Sequence, residues 1–200
     1  SAAIGINTDE WKNIAVFIEQ REGEIAGVSY EVLGEARKLA DQLNEKVIAI
    51  LLGHQLNQQA YDLIKYGADK VIYFDGTDLR FFRDDTYGTL IAQAIKDEKP
   101  SIFLGGATAI GRSFIPKIAA KVYGGLTADC TKLEVDTDKR LLLGTRPAFG
   151  GNLMATIICP NHRPQMATVR HKVMKAAEID PSRSGDVIIH EVASGSVRER

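Results

Sequence analysis

Fully apolar runs and amphipathic stretches alternate through the first half of the chain. Residues 13–20, NIAVFIEQ, form a short run rich in β-formers. Residues 29–44 follow at helical spacing, with Val32, Leu33, Ala36, Leu39, Ala40 and Leu43 on one face and charges on the other. KVIAILLG (46–53) carries no polar residue beyond its first, which predicts a strand covered on both faces. A helix over 56–67 with Gly67 as its stop, a strand over 70–75, a helix over 84–99, a strand over 101–106 and a glycine-stopped helix over 111–125 complete the series. Strands alternating with helices predict a parallel sheet wrapped on both faces, with right-handed crossovers.

After residue 125 the period changes. LEVDTDKRLLLG reads as a hairpin across Asp136–Lys139, and NLMATIICP and QMATVR read as further strands with no helix between them. An antiparallel extension of the sheet is the expectation. AEIDPSRSGD then reads as a linker, VIIHEV as a last short strand and ASGSVRER as a frayed tail. On this reading residues 1–190 are one α/β domain, and 191–200 are a tail or the start of an interdomain linker.

Composition narrows the function classes. The 200 residues hold 25 Lys and Arg against 26 Asp and Glu, a net charge of −1, which gives no argument for nucleic acid or an acidic membrane surface. No apolar run reaches the roughly 20 residues that span a bilayer. The opening SAAIGINTDEWKN lacks the basic and apolar regions of a secretory signal. Two cysteines, Cys130 and Cys159, make no disulfide framework and suggest free thiols in a reducing, cytoplasmic compartment.

Four places carry candidate chemistry. GGATAIGRS (105–113) joins a buried strand to a helix. Its glycines allow close backbone approach, and the helix start offers free N–H groups, so an anion-facing or polar interface stands beside a plain tight turn. Its likeness to a phosphate-binding loop is discounted, because Arg112 replaces the lysine and no metal-binding acid follows. Cys159 and His162, with Cys130 and His171 elsewhere, read as buried thiols and surface histidines rather than a zinc set. Asp129 reads as a turn or cap residue, or as part of an interface or cofactor shell. Finally TRPAFGGNLMATI (145–157) sets Arg146 in extended geometry before Pro147 and follows it with two glycines. Arg146, Arg163 and Arg170, among glycine- and proline-rich turns, suggest one polar functional edge. No nucleophile–base pair and no G-x-S-x-G elbow is found.

GGATAIGRSFIPKIAAKVYGGLTADCTKLEVD, followed by LLLGTRPAFGGNLMATIICPNHRPQMATVR, resembles the α subunit of electron transfer flavoproteins, the family that includes the FixB proteins. IAVFIEQREGEIAGVSYEVLGEARKLADQL resembles that family's opening strand and helix, and the likeness runs from about residue 12 to 190. The resemblance implies an α/β fold: a parallel doubly wound sheet, Rossmann-like and of the adenine nucleotide alpha hydrolase-like kind, with an antiparallel extension in the second half. It implies a non-catalytic electron carrier that pairs with a β subunit, holds FAD in the full heterodimer, and takes electrons from acyl-CoA or other dehydrogenases, as in fatty acid β-oxidation, for a respiratory or ferredoxin-type acceptor. Neither nucleic acid nor membrane insertion is implied. The family's C-terminal FAD domain would follow VIIHEV. The sequence ends there, so most flavin ligands have no counterpart in it, and the chain is expected to be a fragment or a short form with little or no flavin of its own. What carries over is the junction toward the β subunit and the flavin: Arg146, Phe149, Gly150, Gly151 and Asn152, with Thr108, Gly111 and Arg112 in support. The competing reading is a stand-alone adenine-nucleotide-binding module of universal-stress type, which would use GGATAIGRS.

Overall fold

Apolar runs covered on both faces become the centre of a parallel sheet. The computed structural model describes residues 5–197, so the first four and last three residues, including part of the expected tail, lie outside the described residues. In chain order the elements are β1 (Ile14–Ile18), β2 (Gln20–Arg21), β3 (Glu24–Ile25), α1 (Gly27–Leu43), β4 (Val47–Gly53), α2 (Asn57–Lys65), β5 (Lys70–Asp75), α3 (Asp84–Glu98) and β6 (Ile102–Gly106). They continue as α4 (Ala109–Val122), β7 (Gly125–Cys130), β8 (Lys132–Asp136), β9 (Leu141–Pro147), β10 (Met154–Ile157), β11 (Gln165–Val169) and β12 (Asp186–Glu191).

Seven strands in the order β12-β5-β4-β1-β6-β11-β7 form one sheet, parallel throughout. Alternation along β1 divides the interior. Ile14, Val16 and Ile18 join the core under α1 and α2, while Ala15 and Phe17 join the core under α3 and α4. Phe17 meets Phe114 of α4 edge to face at 5.4 Å between ring centroids. This is the expected doubly wound α/β architecture.

The second half is arranged differently in detail. The antiparallel strands form their own sheet, β10-β9-β8, instead of lengthening the main one. β11 returns to insert between β6 and β7, parallel to both. All five of its residues are buried, as an interior strand requires, whereas β8 and β10 alternate with exposed positions. Leu133 and Leu142 close the hairpin onto the α1 side of the core.

The polar stretch after β11 crosses α1 and α2 without regular structure. The Ala177 N–H donates to the Tyr30 carbonyl at 3.0 Å and the Asp180 N–H to the Lys65 carbonyl at 2.8 Å. It delivers β12 to the edge beside β5. The tail is tied at its start: the Gly195 N–H donates to Asp78 Oδ2 at 2.8 Å. The stop of α4 also differs from expectation. The left-handed residue is Tyr123, at φ 57°, and not a glycine. Gly125 instead leaves room for Cys159 and His162.

Candidate functional site

In a doubly wound sheet the carboxyl ends of the strands form a crevice where strand order reverses. Here that point lies between β1 and β6. Thr108 caps α4 there, accepting from the Gly111 N–H at 2.9 Å. Its own hydroxyl donates to Glu19 Oε1, just beyond β1, at 2.6 Å. The helix start is therefore already capped and faces a carboxylate, which repels a phosphate. The glycines of GGATAIGRS serve close approach. A Cβ on Gly111 would collide with the Gly106 carbonyl, and Gly105 and Gly106 make room for Ile115 and Val28.

One step along the rim, Arg112 Nε lies 3.3 Å from Asp129 Oδ1. Asp129 is left-handed, at φ 57°, where the β7–β11 register shifts, and its N–H donates to Thr168 Oγ1 at 2.9 Å. The next residue, Cys130, is fully buried. Burial pushes its thiol up to about 11, with the Arg146 charge opposing the rise and the Asp129 charge adding to it. Arg112 and Arg146 thus flank the Asp129–Cys130 step.

Arg146 lies in β9 opposite Ala155 and is partly exposed. It forms no ion pair among the described residues. Beyond Pro147 the chain makes the tip of the β9–β10 hairpin. The Ala148 N–H donates to the Leu153 carbonyl at 2.7 Å, and Gly150 and Gly151 take φ values of 99° and 88°. Space for a Cβ is open at both glycines. Phe149 is wholly exposed, and Leu153, Met154 and Ile158 are exposed with it. Phe149, Gly150, Gly151 and Asn152 therefore sit together on an apolar tip with Arg146 at its base, while Thr108, Gly111 and Arg112 belong to the adjoining rim. A guanidinium without an ion pair among the described residues and the exposed Asn152 amide are thus hydrogen-bond donors on one exposed hairpin.

Arg163 does not join this edge. It is 2% exposed at the amino end of β11, where its Nη1 donates to the His162 carbonyl at 2.8 Å. Burial, and then the neighbouring Arg140, hold its guanidinium below the usual value. Arg170, exposed at the other end of β11, is on the rim side, its N–H donating to the Cys130 carbonyl at 3.0 Å. The cysteines and histidines are also dispersed. Cys159 and His162 pack on Gly125 at the start of β7, Cys130 ends that strand, and His171 Nδ1 lies 2.6 Å from Glu31 Oε2. No three His, Cys, Asp or Glu among the described residues are grouped to hold a metal. Sequence reasoning missed Glu19 and the Glu31–His171 pair. Glu31 has a side chain only 8% exposed, and its one signal was a charge beside the apolar face of α1.

The fold and rim define a doubly wound α/β domain that turns a partly exposed arginine and an apolar hairpin tip outward. A family model for the electron transfer flavoprotein domain matches residues 14–194, and the chain belongs to the electron transfer flavoprotein family. The electron transfer flavoprotein α subunit of Thermoanaerobacterium thermosaccharolyticum is 50% identical over 90% of this chain and 54% of its own length. That of Clostridium acetobutylicum is 46% identical over 94% of this chain and 56% of its own. The acryloyl-CoA reductase electron transfer subunit beta of Anaerotignum propionicum is 44% identical over 85% of this chain and 52% of its own. The chain spans about half the length of these relatives. The stand-alone nucleotide module is not favoured. No helix among the described residues is long and apolar enough to cross a membrane.

Proposed function

We propose that the chain is the N-terminal domain of an electron transfer flavoprotein α subunit, a non-catalytic scaffold that docks on a β subunit and sets Arg146 against a flavin. The observation that carries this reading is Arg146 itself, partly exposed and without an ion pair among the described residues, at the base of a hairpin whose tip exposes Phe149. FAD, when bound in the heterodimer, supplies the electron chemistry. This chain's part is electrostatic: a permanent guanidinium charge at the ring edge favours added negative charge there. Phe149 and Leu153 bury apolar surface against the partner, and the tip excludes water from the ring edge. We infer that the electron-exchanging partner is an acyl-CoA oxidoreductase, of which a β-oxidation dehydrogenase is one kind. The acryloyl-CoA reductase relative supports this. The two unpaired cysteines support a cytoplasmic setting.

Arg146→Ala in the full-length heterodimer tests the reading. Its flavin midpoint potential should fall by about 30 mV or more, equivalent to a tenfold change for a two-electron couple, or flavin should be lost. Arg146→Lys should recover only part. Unchanged potential and flavin content would rule out the role.

A further inference from the structure

We infer that the outer edge of β12 is a self-association surface, occupied by β12 of a second copy of this chain, paired antiparallel about a two-fold axis. The opposite edge of the sheet, β7, is shielded by β9, whose Gly144 packs on Cys130 and Thr127. β12 has no such cover among the described residues. It runs in unbroken register from Asp186 opposite Lys70 to Glu191 opposite Asp75, without the proline, lysine or bulge that commonly protects an edge. Ile188 and Ile189 are each 38% exposed.

The ladder fixes which groups are free. The Asp186 N–H donates to the Asp69 carbonyl and the Val192 N–H to the Asp75 carbonyl. In a parallel pair, alternate residues turn both backbone groups toward the neighbour. Residues 186, 188, 190 and 192 therefore bond to β5, and Val187, Ile189 and Glu191 point outward. Outside the β5–β12 ladder, none of those three makes a backbone hydrogen bond among the described residues.

The same parity selects a register. Centred on Ile188, an antiparallel pair sets each Val187 against the other copy's Ile189, exchanging both N–H···O bonds. Ile188 meets its own counterpart, and each Asp186 faces a His190 in the closer, non-hydrogen-bonded pairing. His190 is held at that face by stacking on Phe74, with centroids 5.1 Å apart. Centred on Ile189, the pair would instead oppose Val187 to Glu191 and Asp186 to Val192. The first register matches apolar with apolar and acid with imidazole, and it joins two seven-stranded sheets into one. The β9–β10 hairpins lie near the far edges and stay free for another partner.

Sedimentation of the 200-residue chain over a concentration series should show the mass rising from 21.9 kDa to twice that. Ile189→Pro removes only an outward N–H, which an edge strand tolerates, so it should leave a folded monomer. In a Cys159→Ser background, Ile188→Cys should cross-link under mild oxidation and Ile189→Cys should not, since only the former meets itself across the axis. His190→Lys should tighten the dimer several-fold and His190→Asp should loosen it. A chain monomeric at every concentration, or a folded Ile189→Pro variant that still dimerises, would overturn the inference. Cross-linking at 189 and not at 188 would overturn the register.

Discussion

Thr108 does three things with one hydroxyl and its backbone: it ends the turn after β6, caps α4 and binds Glu19. Thr108→Ala should cost about 1 kcal/mol or somewhat more in urea unfolding, since the cap is lost and Glu19 loses a partner. With Glu19 beside the helix start, calorimetry with ATP or AMP should give no binding heat; measurable affinity would contradict the electrostatic reading of the crevice. Cys130 gives a pH signature. Its thiol rises from an ordinary 9.0 to about 11 because burial disfavours the thiolate. The folded value exceeds the unfolded one, so its contribution to stability is full below pH 9 and is lost as pH rises through about 11. Cys130→Ala should remove that part of the alkaline loss of stability. At mildly alkaline pH a thiol reagent should label the partly exposed Cys159 and spare Cys130 in the folded chain.

At the scale of elements, the helices and strands of the first half were legible because burial on one or two faces leaves a period in the sequence. The hairpin tip was legible too, since RPAFGGN concentrates turn residues between β-formers. Pairing was less so. Nothing local to QMATVR says that it inserts between β6 and β7, because that choice is made by two strands whose partner residues lie about 40 and about 60 positions earlier in the chain. The misplacement of Arg163 follows from the same gap: once β11 is parallel, Arg163, two residues before it, falls at the amino end and Arg170 at the carboxyl end. Glu19 and Glu31 gained meaning only from partners distant in the chain, Thr108 and His171. The irregular crossing after β11 makes its own demand on α1. Gly34 faces the Ala177 backbone so closely that a Cβ would not fit. Glycine to alanine within a helix ordinarily gains about 1 kcal/mol. Gly34→Ala should instead lose about 1–3 kcal/mol in thermal or urea unfolding, and a stabilised variant would show that the crossing yields.

Across the whole molecule, two cores hold one parallel sheet, and the arginine-bearing rim and apolar hairpin lie at one end of it. The tip of the β9–β10 hairpin contributes no residue to either core, so its exposed side chains can be changed with small effect on folding. That separation makes the docking claim testable. The most direct measurement is titration of this chain with an electron transfer flavoprotein β subunit, followed by sedimentation or calorimetry. A complex with one β subunit per chain should form, and Phe149→Ala with Leu153→Ala should weaken it by about tenfold or more while the variant keeps its melting temperature. No complex, or one indifferent to both substitutions, would contradict the account.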